Sequence, residues 1–339
     1  MRKAREGFIL IAALWLLIAL GAISLEASLR SRTRRLAAAN MLDAQHAQDV
    51  AFSAIEYARS RLTAAMLGRA DELRTRVVAQ NPRANSRNTS VQSLFRNADP
   101  AEDPWRDPQS LVPSVLSIEN TSVELDIRDT GAAVHVNFAD EATWRQFLSQ
   151  GLGLDYAAAQ RLTMAILDWR DEDDIPRING GEREQYLVAG APVLPANRPF
   201  GDLEELRHVL GMTPEIYNAM RPFLTLSGPG LININVAPEE VLLAIPGMTP
   251  AAAQQLLRLR RVGTLPRNFN ELQSLLPAPS IAAIQAQRQL FNRRVDYATT
   301  VVEVTAKVDI PNSPVGATAQ AVISRRNAGS VVLWRKVDS

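Results

Sequence analysis

The N-terminal part of the chain begins with an apolar run followed by a helical pattern. Phe8 to Leu25 is a run of eighteen uncharged residues, and the basic segment MRKAREG precedes it. As a helix with a rise of about 1.5 Å per residue, the run would extend about 27 Å, close to the hydrocarbon thickness of a bilayer. A secretory signal and a retained membrane anchor both begin in this way. The length favours an anchor, because the apolar region of a signal peptide normally holds about 7–15 residues.

The helical pattern continues beyond this run. Residues 36–66 contain neither proline nor glycine, and their apolar residues recur at three- and four-residue steps, which predicts an amphipathic helix. Gly68 is the first residue expected to end it. We therefore predict one N-terminal helix of about sixty residues, about 90 Å long if unbroken, whose first third suits lipid.

Strand-like alternation occurs in two separate regions. Residues 122–127 (SVELDI) and 133–137 (AVHVN) flank Asp129-Thr130-Gly131, which predicts a hairpin, and three further strand patterns lie between Thr299 and Lys336. Residues 68–116 contain five prolines and are expected to form an irregular connector. We expect the five strands to form one antiparallel sheet that a helical domain interrupts.

Residues 138–291 return to a helical pattern, and the pattern repeats. VNFADEAT at 136–143 resembles NVAPEEVL at 235–242, and FGDLEEL at 200–206 resembles FNELQSL at 269–275. A third pair joins GMTPEIYNAM at 211–220 to GMTPAAAQQL at 247–256. Similarity of this kind indicates duplicated units, which we place at residues 138–230 and 231–292.

Composition excludes several classes of function. The 37 basic and 36 acidic residues nearly cancel, so net charge favours no particular partner, and the absence of cysteine excludes disulfides and thiolate chemistry. The chain contains no nucleophile elbow, phosphate loop or dinucleotide fingerprint. The three histidines His46, His135 and His208 lie on different predicted elements. We therefore expect no enzymatic activity.

The strongest candidate site is the acidic segment DWRDEDD at 168–174, followed by Gly180-Gly181-Glu182. Counted from Asp171, Asp173 and Glu182 occupy positions three and twelve, which carry carboxylates in a calcium loop, although Pro176 excludes a true EF-hand. Hard oxygen ligands in a flexible loop favour calcium over zinc or magnesium. The alternative is a solvated acidic loop without a metal.

A second candidate site is the turn Ile245-Pro246-Gly247-Met248, which precedes a helix ending in Arg258, Arg260 and Arg261. A helix–turn–helix with trailing arginines is typical of helix-hairpin-helix modules that bind the DNA backbone. The small glycine turn of those modules is replaced here by Met248-Thr249-Pro250. A helix start with proline in its first turn is the simpler interpretation.

The N-terminus resembles that of type IV pilins and pseudopilins. In those proteins a prepilin peptidase cleaves after the glycine of a basic leader, here Gly7, and methylates the new N-terminal residue, here Phe8. Most members carry glutamate at the fifth mature position, whereas this chain has Ala12. The absence of glutamate is characteristic of the minor pseudopilin K of the type II secretion system.

Further motifs are similar to those of the minor pseudopilin K family. Its D-W-x-D-x-D motif, followed by G-A-E, is matched by Asp168, Asp171, Asp173 and Gly180-Gly181-Glu182. Its phrases G-M-T-P-E-I-Y and L-N-V-N-x-A-P-E-E are matched at 211–217 and 231–240. The resemblance implies that calcium is bound in the acidic loop, with Asp168, Asp171, Asp173 and Glu182 as ligands.

The resemblance also implies an α+β fold, a pilin-like long N-terminal helix plus antiparallel sheet, interrupted by an inserted, duplicated, all-helical (SAM-like) domain. The segments would be a leader (1–7), a transmembrane start of the helix (8–29), pilin-like helix, connector and first strands (30–137), the two helical units (138–230 and 231–292) and C-terminal strands (293–339).

The function implied is that of a minor pseudopilin at the tip of the pseudopilus, initiating its assembly with minor pseudopilins I and J for protein export across the outer membrane. The chain would be a single-pass inner-membrane protein with a periplasmic soluble domain, and a nucleic acid is not an expected partner. The alternative is a membrane-anchored helix-hairpin-helix DNA-binding component of uptake machinery.

Overall fold

The computed structural model describes residues 2–80, 93–95, 98–326 and 329–338, excluding the side chains of 2–13, 19, 329 and 334–338. The first element, α1, is a single helix over Arg2–Gln80. It passes through Gly68, so our prediction that the helix ends there after about sixty residues is wrong. Ala70 and Leu73 continue the buried face beyond Gly68. Burial of this face outweighs the cost of about 1 kcal/mol for a glycine inside a helix.

The predicted apolar face of α1 is buried against the sheet. Its residues recur at three- and four-residue steps, as an amphipathic helix requires. The residues with 2% exposure or less are Ala47, Val50, Ala51, Ala54, Ile55, Ala58, Leu62, Met66 and Ala70. By contrast, large apolar side chains between Leu14 and Leu42 are exposed. The C-terminal half of α1 is thus part of a core. The described side chains of its N-terminal half are not covered by the rest of the protein.

Three short 3₁₀ turns follow α1, at Pro100–Glu102, Pro104–Arg106 and Pro108–Leu111. Trp105 anchors them, since its Nε1 donates a 3.0 Å hydrogen bond to the carbonyl oxygen of Leu62 on α1. Strands β1 (Val115–Ile118) and β2 (Thr121–Asp129) then pair antiparallel. The segment predicted as an irregular connector therefore begins in α1 and ends in β1, and its described residues between these elements include a helical turn at 93–95 and the three 3₁₀ turns.

The predicted hairpin across Asp129-Thr130-Gly131 is wrong. Strand β2 runs as far as Asp129, and a 3₁₀ turn at Thr130–Ala132 then leads away from the sheet. Asp129 Oδ1 accepts a 2.8 Å hydrogen bond from the backbone N–H of Gly131, which closes this turn. Strand β3 (Val134–His135) pairs in parallel with β4 (Leu224–Thr225) instead of with β2.

Residues between β2 and the last strands form the helical domain, built as two units. The first contains β3, α2 (Glu141–Gln146), a π turn, α3 (Tyr156–Arg170), α4 (Arg183–Val188), a 3₁₀ turn at Leu203–His208, α5 (Pro214–Met220) and β4. The second contains β5 (Ile232–Asn233), α6 (Glu239–Leu242), α7 (Pro250–Arg261), α8 (Phe269–Leu275), α9 (Ala278–Ala286), α10 (Arg288–Arg294) and β6 (Val295–Asp296).

Each unit begins with a short strand and closes with another that pairs with it in parallel, β3 with β4 and β5 with β6. The two units share one hydrophobic cluster. The two GMTP segments do not occupy equivalent places, because one precedes the closing helix α5 and the other precedes α7. Thr213 and Thr249 both cap a helix by accepting a backbone hydrogen bond, with proline next in the chain, so the shared phrase is a common helix start.

Strands β7 (Val301–Asp309), β8 (Gly316–Arg326) and β9 (Gly329–Asp338) complete the sheet, whose order is β1-β2-β7-β8-β9. Its pairs are all antiparallel. This arrangement confirms the predicted α+β class, with a long N-terminal helix and an antiparallel sheet. The helical domain leaves and re-enters between neighbouring strands β2 and β7, where the buried Asp129 accepts hydrogen bonds from Asn233 (2.9 Å) and Thr299 (2.6 Å).

Candidate metal centre

Asp168 lies in the last turn of α3 with its side chain fully buried. Its Oδ2 accepts hydrogen bonds from the backbone N–H groups of Gly181 (2.8 Å) and Arg177 (3.1 Å). Its Oδ1 accepts a 2.6 Å hydrogen bond from Arg177 Nη1. One carboxylate thus holds the far end of the acidic loop against the end of the helix, which makes the loop a closed structure.

The two glycines before Glu182 differ in whether a side chain could be accommodated at their position. A Cβ on Gly180 would lie 2.0 Å from Asp168 Oδ2, well inside any allowed contact. A Cβ on Gly181 would first meet Leu210 Cδ2 at 2.9 Å, the end of a flexible side chain. The loop therefore requires glycine at position 180. At position 181, where the resembled family carries alanine, an alanine would need only a small shift of Leu210.

Three of the four predicted ligands converge. Asp168, Asp171 and Glu182 each offer a carboxylate oxygen, and these atoms lie within 4.8 Å of one another. Glu182 is 2% exposed, yet neither of its side-chain oxygens has a hydrogen-bond partner among the described residues. Asp171 Oδ1 is likewise buried without such a partner. Burying an unpaired carboxylate is costly, so this geometry is one that a bound cation would relieve.

The pKa of Glu182 reflects the same unfavourable burial of a carboxylate. Burial, together with the negative charges of Asp168 and Asp171, raises the pKa of Glu182 to about 7. Burial also raises the pKa of Asp171, against the opposing effect of Arg177. Oxygen ligands of this kind, desolvated and close together, fit a hard divalent cation such as calcium. Asp168, Asp171 and Glu182 are the residues that would hold it, and calcium at this position stays a prediction.

Asp173, the fourth predicted ligand, is not in this group of three carboxylates. Its side chain is exposed, and its Oδ1 accepts a 2.9 Å hydrogen bond from the backbone N–H of Ile175. The structure therefore gives Asp173 a local role in turning the loop.

Asn197 supports the loop from outside the acidic segment, and the sequence contained no signal that pointed to it. Its Nδ2 donates to the backbone carbonyl of Asp173 (3.1 Å) and to Asp174 Oδ1 (2.9 Å). Its backbone N–H donates to the carbonyl of Trp169 (3.1 Å). Because these contacts span more than twenty residues of chain, only the folded structure reveals them.

Aromatic residues fix the loop to the core of the helical domain. The Trp169 ring, 1% exposed, stacks on Phe200 at 6.1 Å and lies 5.9 Å from Tyr186. The hydroxyl of Tyr186, on α4 directly after Glu182, accepts a hydrogen bond from the backbone of Leu210. Both ends of the acidic loop are therefore held by buried rings, so the three carboxylates have a rigid base.

The predicted processing residues Gly7 and Phe8 belong to α1, and only their backbone is described. The described part of α1, from Leu14, contains a stretch long and apolar enough to cross a membrane, with no part of it buried. This observation agrees with an anchor by length and composition only. Cleavage and methylation at this position stay predictions.

The turn considered for DNA binding is covered by its own domain. Gly247, whose φ is +84°, donates its backbone N–H to Gln146 Oε1 (3.2 Å), and a Cβ there would lie 2.9 Å from the carbonyl oxygen of Ala283. Arg260 is directed inward and donates to the carbonyl of Ala237 (2.6 Å). The turn and one of its three arginines are therefore engaged inside the fold, which does not favour phosphate binding.

Comparison with known proteins points to one family. Residues 127–229 match the family described as Type II secretion system (T2SS), protein K. The type II secretion system protein K of Klebsiella pneumoniae is 32% identical over 121 residues, which cover 33% of this chain and 37% of that protein. That of Pectobacterium carotovorum subsp. carotovorum is 28% identical over 143 residues, which cover 40% and 44%. The chain thus spans less than half the length of either relative.

The fold has a counterpart among solved structures. It is similar to a chain in the crystal structure of the GspK-GspI-GspJ complex from the enterotoxigenic Escherichia coli type 2 secretion system. The TM-score is 0.57, with 18% sequence identity, over 87% of this chain and 99% of that chain. This similarity concerns the fold. The family resemblance drawn from the sequence motifs is confirmed, since residues 127–229 match the model of the type II secretion system protein K family.

Proposed function

We propose that this chain is a minor pseudopilin of a type II secretion system. It stands at the tip of the pseudopilus and initiates its assembly with minor pseudopilins I and J, for protein export across the outer membrane. The observation that carries this proposal is the insertion of a protein K domain between neighbouring strands β2 and β7 of a sheet packed on a membrane-length helix. The similar fold found in the GspK-GspI-GspJ complex supports the choice of partners.

The size of the helical domain supports the tip position. In a filament built by packing N-terminal helices, each subunit must fit beneath the next one. Here the helical domain, from β3 to β6, adds a second hydrophobic core to that of the helix and sheet. A subunit with this additional domain suits the end of a filament, where nothing has to stack above it.

Membrane insertion is the second part of the proposal. The basic leader stays in the cytoplasm, and a prepilin peptidase cleaves after Gly7 and methylates Phe8. The apolar helix then remains as a single span of the inner membrane, and the domain after Arg30 lies in the periplasm. The described exposed apolar residues from Leu14 to Leu25 support this placement, because no part of the folded domain covers them.

Calcium binding in the acidic loop is the third part. The unpartnered, buried carboxylate of Glu182 supports it, together with the convergence of Asp168 and Asp171. When bound, calcium would neutralise these carboxylates and stabilise the loop. No catalytic step is part of the proposal.

The assembly role is tested in cells with the full chain. A strain lacking the chain should form few pseudopili when the major pseudopilin is overproduced, and the wild-type chain should restore them. Tagged chain extracted in mild detergent should co-purify minor pseudopilins I and J, and gold label on the tag should sit at filament ends. Label spread along filaments would refute the tip position, whereas normal filaments without the chain would refute the initiating role.

The missing glutamate gives a second test. In other pilin-like subunits, glutamate at the fifth mature position is commonly taken to neutralise the N-terminal amine of a neighbour, and this chain has Ala12 there. A tip subunit has no neighbour above it to require this pairing. Ala12→Glu should therefore leave assembly nearly unchanged, and a severe defect would contradict the explanation. Gly7→Leu, which should block cleavage of the leader, provides the positive control for lost assembly.

The alternative function, a DNA-binding component of uptake machinery, predicts a salt-dependent shift of duplex DNA by the purified chain. Protein–phosphate contacts release counterions, so affinity falls steeply as salt rises. Binding at physiological salt that Arg258→Gln with Arg261→Gln abolishes would support this alternative. The covered turn at Gly247 argues that no such shift occurs.

A further inference from the structure

We propose that Arg177 is the intramolecular counter-ion of the acidic loop: its guanidinium holds the place between Asp168 and Asp171 in the cation-free protein and turns into solvent when a divalent cation binds. This inference rests on the calcium site proposed above. It concerns a residue outside the acidic motif and assigns it control over the affinity of that site.

The geometry of a single nitrogen carries the argument. Arg177 Nη1 donates to Asp168 Oδ1 at 2.6 Å and also contacts Asp171 Oδ2. The two carboxylates therefore converge on one nitrogen of the cationic guanidinium, and Asp168 and Asp171 would hold a divalent cation in its place. Asp168 Oδ2 is already committed to two backbone N–H groups. The oxygen of Asp168 that remains for a metal is the one that Arg177 occupies.

The charge balance is incomplete without a further cation. Asp168, Asp171 and Glu182 have carboxylate oxygens within 4.8 Å of one another, and one guanidinium is ion-paired to only two of these side chains. The carboxylate of Glu182 has neither a hydrogen bond nor an ion pair with any described residue. A guanidinium carries one charge, whereas calcium carries two and takes six to eight oxygen ligands. Only the metal satisfies all three groups together.

Arg177 is also placed so that it can leave. Its side chain is 40% exposed, whereas that of Asp168 is fully buried. The backbone N–H of Arg177 holds Asp168 Oδ2 independently of the side chain. Rotation of the side chain therefore frees the two carboxylates while the backbone keeps the loop closed around Asp168.

Two consequences follow. Calcium must compete with Arg177 for Asp168 and Asp171, so the native loop binds calcium more weakly than its carboxylates alone would allow. A hydrogen bond to a charged group contributes enough to change an equilibrium about tenfold or more. Without the metal, the guanidinium reduces repulsion among the carboxylates and keeps the cation-free loop folded.

The test compares the wild-type chain in detergent, stripped with chelator, with Arg177→Gln, and uses calcium chloride as the probe. Calorimetry should show that R177Q binds calcium about tenfold more tightly than wild type. In chelator, R177Q should melt at a lower temperature, and calcium should raise its melting temperature more than that of wild type. Arg183→Gln, an exposed change beside Glu182, is the matched control for lost charge and should behave as wild type.

The outcomes separate this inference from the calcium site itself. If wild type binds calcium and R177Q binds it equally or more weakly, the inference is wrong and the site stands. If R177Q binds calcium and wild type does not, the inference stands and the native calcium site is refuted. If neither binds, both are refuted.

If R177Q does not fold in chelator or in calcium, Arg177→Lys is the deciding variant. Lysine pairs with the two carboxylates in a poorer geometry, so the affinity for calcium should rise in part. An unchanged affinity overturns the inference.

Discussion

Arg170 and Arg260 hold equivalent positions in the two units of the helical domain. Arg170, at the end of α3, donates to the carbonyl oxygens of Val136 and Ala139, the latter at 2.6 Å. Arg260, at the end of α7, donates to the carbonyl oxygens of Ile234 and Ala237.

In each unit an arginine on the second helix thus satisfies the backbone that follows the first short strand. Burial lowers the pKa of both guanidinium groups to about 10, so both remain charged at neutral pH. This shared contact supports the duplication that the sequence indicated.

Replacing Arg260 should destabilise the helical domain. Arg260→Met leaves the carbonyls of Ile234 and Ala237 without their donor inside a buried strand-to-helix connection. An unsatisfied buried group costs about 1–3 kcal/mol, so we expect a loss of ~2–4 kcal/mol in the free energy of unfolding. Chemical denaturation followed by circular dichroism measures it. Arg261→Met, the exposed neighbour, should change stability little, and an equal effect of the two would contradict this role.

The acidic loop should tolerate alanine at one glycine and not at the other. Gly180→Ala places a Cβ 2.0 Å from Asp168 Oδ2, so the loop must open or Asp168 must leave its two backbone donors. We expect a loss of about 1–3 kcal/mol, typical of overpacking, together with weakened calcium binding. Gly181→Ala meets only the end of Leu210 and should keep both properties near wild type. Thermal melting with and without calcium gives the comparison, and equal melting of the two variants would speak against the close approach of Gly180 to Asp168.

Neutralising Glu182 should stabilise the cation-free protein and remove its response to calcium. The pKa of Glu182 is raised in the folded state, from 4.5 to about 7, so the folded state binds the proton more tightly and loses stability as pH rises from 4.5 to 7.

At pH 8 in chelator, Glu182→Gln should gain about 1–3 kcal/mol over wild type, and the gain should shrink towards pH 5. Calcium should raise the melting temperature of wild type only, because a ligand of the folded state alone stabilises it. Glu184→Gln, exposed two residues later, is the control, and a pH-independent gain would refute the assignment.

His135 should make the protein sensitive to acid. Burial lowers the pKa of His135 from 6.5 to about 4, and its Nδ1 accepts a hydrogen bond from the backbone N–H of Asn137. The unfolded chain takes up the proton first, so stability is complete above pH 6.5 and falls as pH drops towards 4.

The loss amounts to up to about 3 kcal/mol at the acid end of this range. Denaturation at several pH values should show a shallower fall for His135→Gln, which lacks the titrating ring. His208→Gln, on the surface, should retain the full wild-type dependence. Parallel curves for wild type and His135→Gln would show that another group is responsible.

Elements with a local signal were predictable from the sequence. The buried face of α1 was correctly predicted from its spacing, since a residue three or four places on lies on the same side of a helix. The C-terminal strands were predicted from their alternating pattern, since successive side chains of a strand point to opposite faces. The end of α1 was misplaced because packing beyond Gly68 outweighs a propensity of about 1 kcal/mol. The prediction of a hairpin at Asp129 failed because a turn sequence does not specify which strands pair after it.

For the candidate metal centre, the sequence by itself determined that several carboxylates lie close in the chain and that glycine precedes Glu182. Only the tertiary structure decided which of them converge. Asp168 is buried because it lies on the inner face of α3, and the Glu182 carboxylate is buried without a hydrogen-bond partner among the described residues. Asp173 instead accepts a hydrogen bond from its own loop. Arg177 enters between two of the acids from nine residues away. Burial and desolvation arise from packing of distant segments, so spacing along the chain carries no record of them.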